Sequence, residues 1–220
     1  MLDWTFIINS IPLYLTAAKL TIGIAFLSIF LSILIGFIIV MIRFFDIKGL
    51  KGIAHIYIEV SRNTPLLVQL FFLYFGLPKL GIVLDSFTCG VTGLTFLGGS
   101  YMAEAFRTGL DNIDKIQTES AYSLGMNKGQ VLRHIIFPQA TINSIPVLSA
   151  NIIFLFKETS VVSACALADL MYVTKDLIGL YYRSDEALLM LVIAYLIILL
   201  PISYGLSIVE RKVRHGQFGY

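Results

Sequence analysis

Residues 119–138 read Glu-Ser-Ala-Tyr-Ser-Leu-Gly-Met-Asn-Lys-Gly-Gln-Val-Leu-Arg-His-Ile-Ile-Phe-Pro. This is a polar helix–turn–helix set between strongly apolar stretches. A water-facing segment fixed between membrane helices usually exists to touch something soluble. Thr118 has the side chain to cap a short helix, and Glu119 in its first turn suits the helix dipole. Gly125 suits the left-handed position that ends such a helix. Asn127 can cap a second helix over residues 128–137, with Val131, Leu132, Ile135 and Ile136 on one face and Gln130, Arg133 and His134 opposite. Pro138 marks its end or a kink into the next apolar stretch. The second helix is expected to lie against the membrane domain, while the first, with Ala121 and Leu124, projects. From the residues alone, an amphipathic loop resting on the membrane surface fits equally well.

The surroundings make this a membrane protein. The chain is 57% hydrophobic and only 14% charged, with mean hydropathy +0.84, whereas soluble domains carry roughly 25% charge. The net charge is +2 and no basic stripe of the nucleic-acid kind is present, so no nucleic-acid partner is expected. Cys89 and Cys165 are isolated, without metal or redox spacing, and read as apolar packing residues. The first nine residues lack Lys and Arg, so no cleavable signal peptide is expected.

A transmembrane helix needs about 20 mostly apolar residues. Five stretches qualify, at about 11–42, 52–76, 86–106, 140–157 and 187–209, within a single domain over 1–220. The first span is expected to begin near Ile11, with Lys19 snorkelling or facing protein. The second carries His55, Glu59 and Arg62 and is interrupted by Pro65, so a kinked helix facing protein or a cavity is predicted. Charge sets the orientation. Arg43, Lys48 and Lys51, then Arg107, Lys115, Lys128 and Arg133, then Arg211, Lys212 and Arg214 fall on one side. Only Lys79, Lys175 and Arg183 fall on the other. The positive-inside rule places the N-terminus outside, the tail in the cytoplasm, and loop 108–138 in the cytoplasm. The fold class is therefore an all-α membrane protein with five transmembrane helices.

Four motifs in order resemble one family over nearly the whole chain. Glu119-Ser120-Ala121, Gly125 and Ile135-Ile136-Phe137-Pro138 match the Glu-Ala-Ala, Gly, Ile-x-Leu-Pro signature of permease subunits of bacterial binding-protein-dependent ABC importers, with Ser120 for Ala and Phe137 for Leu. Arg62 to Gln69, Tyr101 to Arg107, and Lys157-Glu158-Thr159-Ser160 resemble stretches of its polar amino acid subfamily, with Asn63 where Gly is usual and Ile116 where Gly often precedes Gln117. The resemblance implies a type I importer permease whose coupling helix, Glu119, Ser120, Ala121 and Leu124 ending at Gly125, docks in a groove of an ATPase subunit. It also implies an extracytoplasmic solute-binding protein as partner and a polar amino acid as substrate.

No glycine in the chain is followed by lysine, so the phosphate-binding Gly-x-x-x-x-Gly-Lys-Ser/Thr loop is missing and ATP hydrolysis is not expected here. ATP and magnesium would be bound by a partner ATPase dimer, and no cofactor is expected in this chain. Five spans make a thin wall around a pathway, so a second permease, itself or a homologue, is expected. Ser28, Ser32 and Gly36 form a stripe that permits close helix contact, between subunits or within one.

Intramembrane ionisable and polar residues are the pathway candidates: Arg62, Thr64, Gln69, Glu104, Asn143, Asn151, Lys157, Glu158, Thr159 and Ser160. Glu59 with Arg62, and Glu104 with Arg107, are spaced to pair within a helix. Structural or gating roles and direct substrate contact both remain open for the charged members. Glutamine, arginine, lysine, histidine and cystine all remain open as cargo. Residues 161–170 are apolar and are expected to dip into the membrane as a short gating helix, with a polar surface from Lys175 to Glu186 behind them. An intramembrane enzyme is disfavoured by the lack of paired metal-ligand histidines and of a Gly-x-Ser-x-Gly elbow. A secondary transporter is disfavoured by the lack of internal repeats. The alternative left standing is a non-transporting scaffold subunit of a membrane complex.

Overall fold

Asp3 opens the first helix by accepting from the Phe6 amide, so α1 runs Trp4–Phe44, starting seven residues before the expected Ile11. The computed structural model describes residues 2–218, with side chains to residue 213; the side chain of Arg214, counted with the tail above, lies outside it. At 41 residues α1 is about 60 Å long, twice an apolar bilayer core of about 30 Å. Pro12 lies in its third turn, where the missing amide removes the i→i−4 bond to Ile8 O without ending the helix.

The other helices are α2 Leu50–Asn63, α3 Leu66–Phe71, α4 Ser86–Asp111, α5 Lys115–Ser123, α6 Lys128–Val131, α7 Phe137–Glu158, α8 Leu170–Tyr181 and α9 Ser184–Phe218. α3 continues through a π turn, Phe72–Gly76, and a 3₁₀ turn, Leu77–Leu80. A second π turn, Leu132–Ile136, joins α6 to α7, and a 3₁₀ stretch, Thr159–Cys165, extends α7. Three stretches, Trp4–Phe44, Lys128–Cys165 and Ser184–Val213, are long and apolar enough to cross a membrane by length and composition. α4 is less apolar because Gly, Ser and Thr take many of its positions, several of the glycines at close helix contacts.

α4 is the centre of the bundle, held between α1 and α7 by glycine contacts. A Cβ on Gly36 of α1 would lie 2.6 Å from Met102 Cβ and 2.7 Å from the Ala103 amide nitrogen. Ser28 and Ser32 are buried on the same stripe, and Ser32 meets Gly98. The stripe is therefore consumed in packing α1 on α4 within one subunit. Farther along, Gly109 abuts Ser144 and the Ala140 carbonyl of α7. Gly36→Ala is expected to destabilise the protein by about 2 kcal/mol, because the clash is with backbone that cannot swing aside; thermal unfolding in detergent reads it.

The expected gating helix over 161–170 is not one. Thr159–Cys165 is 3₁₀, Ala166 turns left-handed at φ 54°, and α8 starts afresh behind Asp169, whose carboxylate accepts from Tyr172 N at 2.8 Å. The polar side chains of Ser163 and Asp169 draw the chain into a turn that a continuous apolar helix would not allow. Val162 and Cys165 pack with Ile24, Leu70, Cys89 and Leu94 in a buried cluster. The cysteines are thus packing residues of one core.

Asp169 is fully buried and its Oδ2 has no hydrogen-bond partner among the described residues. Burial pushes its carboxyl up to about 6, against the lowering effect of the Tyr172 amide and Lys175. The folded protein therefore holds this proton where the unfolded chain has released it, and stability falls as pH rises from about 4 through about 6. Asp169→Asn keeps an amide-capping oxygen. It is expected to remove this component and raise Tm by a few degrees at about pH 7.5 but not at about pH 4; differential scanning at the two pH values tests it.

Candidate functional site

Between α4 and α7 the chain leaves the bundle and returns. Asn112 caps the end of α4, and Asp114 accepts from Ile116 N at 3.0 Å to start α5. The helix is therefore Lys115–Ser123, not 119–124, and its cap is Asp114 rather than Thr118. Gly125 is left-handed at φ 82°. Met126 N donates to Ala121 O at 3.1 Å and Gly125 N to Tyr122 O at 2.9 Å, the paired bonds of a Schellman ending. Asn127 and Gln130 then form a reciprocal capping box, at 3.0 and 2.9 Å, that launches α6. The second helix does not stop at Pro138; the π turn before it absorbs the proline's missing amide and the chain continues as α7.

α5 has two faces. Ala121 is 3% exposed, turned into its own chain, and the Gln117 side chain is hydrogen-bonded to that of Gln139 on α7. Ala121 was expected to face a partner; it instead seats the helix. The opposite face carries Ile116, Glu119, Ser120 and Ser123 at i, i+3, i+4 and i+7, with Leu124 beyond. Leu124 is 83% exposed and Ile116 66%. An isolated nine-residue helix is marginal in water, so two caps and a buried alanine are what make α5 a fixed projection, its polar outer face flanked by the exposed apolar side chains of Ile116 and Leu124.

The pathway candidates do not form one constellation. Glu104 on α4 binds Arg43 of α1 at 2.7 Å and Arg107 at 2.7 Å, and lies 3.9 Å from Arg62 of α2. Arg107 also reaches Asp111 at 2.8 Å, and the Arg62 guanidinium stands 5.4 Å from the Tyr101 ring centroid. The expected Glu59–Arg62 pair is not made: Glu59 accepts from the Asn63 side chain at 3.1 Å. Arg43 was missed because its partner is 61 residues away, beyond any local spacing rule.

Thr64 and Gln69 come together at the Pro65 break. Gln69 Nε2 donates to Ser61 O at 3.1 Å and Thr64 O at 3.0 Å, satisfying carbonyls the break leaves free. Asn63 lies on ordinary helical backbone, so its glycine is not required there. Ser61 Oγ and Tyr57 Oη both donate to Phe96 O, fixing α2 on α4. A cavity of about 460 Å³ opens beside the break, lined by Thr64, Val68, Gln69, Phe72, Thr92 and Phe96. Gln69 Oε1 is buried beside it without a hydrogen-bond partner among the described residues.

The remaining candidates run along α7. Asn143 is half-buried, and Asn151 Nδ2 donates to Tyr101 O at 3.0 Å. Lys157 is exposed and Glu158 half-buried where α7 tightens. Thr159 Oγ1 donates to Phe156 O at 2.7 Å and Ser160 Oγ to Lys157 O at 2.9 Å, so both hydroxyls serve the 3₁₀ turn. Because α4 and α7 run antiparallel, Lys157 to Ser160 sit at the end of the bundle away from Arg62 and Glu104. Among the described residues, no group of three or more His, Cys, Asp or Glu is placed to hold a metal ion.

The family described as binding-protein-dependent transport system inner membrane component matches residues 48–215. The arginine transport system permease protein ArtQ of Bacillus subtilis (strain 168) is 31% identical over 98% of this chain and 99% of its own. The glutamine transport system permease protein GlnP of Escherichia coli (strain K12) is 31% identical over 96% of this chain and 98% of its own. A solved structure of an amino acid ABC transporter with histidines superposes with TM-score 0.91 and 34% identity, covering 96% of this chain and 99% of that one. The MetNI methionine ABC transporter, at 17% identity and TM-score 0.73, shares the fold. With all-helical architecture, several long apolar helices and matches along nearly its whole length, the chain belongs to the inner-membrane components of binding-protein-dependent transport systems, as a multi-pass ABC importer permease.

Proposed function

We propose that this permease carries polar amino acids inward by alternating access, driven through α5 by a separate ATPase. The observation that carries the coupling role is the two-faced α5: seated on its own chain by Ala121 and Gln117, it offers Ile116, Glu119, Ser120 and Leu124 outward. A helix that projects from a rigid seat passes on a push rather than absorbing it. The names of ArtQ and GlnP, which concern arginine and glutamine, support the substrate class.

In this reading the chain crosses five times, through α1, the broken α2–α3, α4, α7 and α9, with its N-terminus outside and its tail cytoplasmic. ATP and magnesium are bound by the ATPase pair, and this chain is non-catalytic. Two permeases, identical or homologous, enclose the pathway, and a solute-binding protein docks on the side of α8. The cavity at the Pro65 break, with the free Gln69 carbonyl oxygen beside it, is the stretch of pathway best suited to an ammonium or amide group.

Co-purification with the ATPase and a panel of amino acid-loaded binding proteins in lipid tests the reading. Stimulated ATP hydrolysis with one loaded binding protein supports it and names the ligand. Failure to associate with any ATPase leaves a scaffold role in its place.

A further inference from the structure

At the α5 end of the bundle a pocket of about 370 Å³ opens between the end of α1, the start of α2, the end of α4 and α5. Four cations line it, Arg43, Lys51, Arg107 and Lys115, against one carboxylate, Asp111. Some of that charge is already neutralised. Arg107 is occupied by Glu104 and Asp111, and Lys51 by Asp46 at 2.6 Å. Arg43 meets Glu104 through Nη1, and its other guanidinium nitrogens make no hydrogen bond among the described residues. Lys115 has no ion pair among the described residues. Counting the three carboxylates with the four cations still leaves positive charge, and Arg62 adds to it.

The floor of this pocket is apolar, with Val40, Phe44 and Ile136. It runs into a narrow furrow between α1, α4 and α7, of about 40 Å³, which shares Val40 and Leu110 with it. Phe37, Met41, Phe106 and Phe137 line the furrow, and Phe37 is 46% exposed toward the surroundings of the bundle. A basic mouth continuous with an apolar furrow on the outside of a membrane bundle has the two-part chemistry of a lipid. A soluble anion would use only the mouth.

We propose that this is a binding site for an anionic phospholipid, its phosphodiester in the basic pocket between Arg43, Lys51 and Lys115 and one acyl chain along the furrow. Basic pockets between membrane helices at the cytoplasmic surface take such headgroups. The leaflet follows from the orientation proposed above; the site itself does not depend on it. The lipid would contact α1, α2, α4 and α5 together, and so would brace α5 against the spans.

The test uses the permease with its ATPase, purified in detergent. Phosphatidylglycerol and phosphatidylcholine with the same acyl chains are titrated in turn and bound lipid is read by native mass spectrometry. Phosphatidylglycerol is expected to be retained at least about ten-fold better, and Lys51→Gln and Lys115→Gln each to cut its retention about five-fold. Equal retention of the two lipids, or full preference in the double variant, overturns the site. Inorganic phosphate and glycerophosphoglycerol, which lacks acyl chains, are then added as competitors. Failure of both to displace the lipid is expected; displacement by either shows a soluble-anion pocket and overturns the lipid assignment. The readout needs no ATP turnover, so it stands or falls separately from the coupling role of α5.

Discussion

Leu124→Asp is expected to cut ligand-stimulated ATP hydrolysis of the assembled transporter about thirty-fold while the permease keeps its Tm. Leu124 is 83% exposed, and its backbone, at φ −81° and ψ 5°, accepts any ordinary residue. Nothing in this chain depends on the side chain. If it is buried in an ATPase groove, its loss removes about 2 kcal/mol of contact, and a carboxylate placed there adds a desolvation cost. Ile116→Asp is expected to act the same way. Ala121→Leu is the contrasting change: at 3% exposure it has no room, so it is expected to lower Tm before it alters coupling. Unchanged co-purification and unchanged stimulated hydrolysis in the Leu124→Asp, Ile116→Asp double variant would remove α5's outer face from the contact.

Glu104→Ala is expected to cost about 3 kcal/mol, or about 6–12 °C in Tm, read by scanning fluorimetry in detergent. Glu104 is 18% exposed and joins helices α1, α2 and α4 through three arginines. Removing it leaves Arg43 and Arg62 without their counter-ion and Arg107 with Asp111 alone. The loss is at the low end for a buried pair, because Arg62 and Arg107 are 43% and 44% exposed. Glu104→Gln keeps an acceptor and is expected to lose less. The same variants separate the two roles left open for this residue. A substrate contact would raise KM with Tm unchanged, whereas a brace loses Tm in proportion to the charge removed.

The sequence carried those features that a few neighbouring residues decide. Gly125 ends a helix, Asn127 begins one, and Pro65 breaks one, each through its own backbone chemistry. Where two residues had equal chemical claim, local reading chose the wrong one. Asp114 and Thr118 are both good caps, and burial of Ala121 favours the longer helix. Residues 161–170 are apolar enough for a helix, yet the turn at Ala166 lets Val162 and Cys165 reach the core shared with Ile24 and Cys89. The Arg43–Glu104 pair and the Gln69 bridge across the break were invisible for a different reason. Each is fixed by how helices meet or bend, and neither leaves a periodic trace in the chain. The polar pathway candidates were found as residue types, but most of them hold backbone carbonyls of their own subunit.

The π turn at Leu132–Ile136 stands between the α5 loop and the long α7. A π turn stores one more residue per turn than the α-helix around it. If that wide turn migrates along the rod, the segment it passes rotates by about 100° while both ends stay anchored. The faces of Asn143 and Asn151 could then be turned relative to α4 without lengthening or breaking the rod. In the coupling proposed above, a push received at α5 need not swing α7 as a lever; the stored residue gives it the means to twist like a shaft.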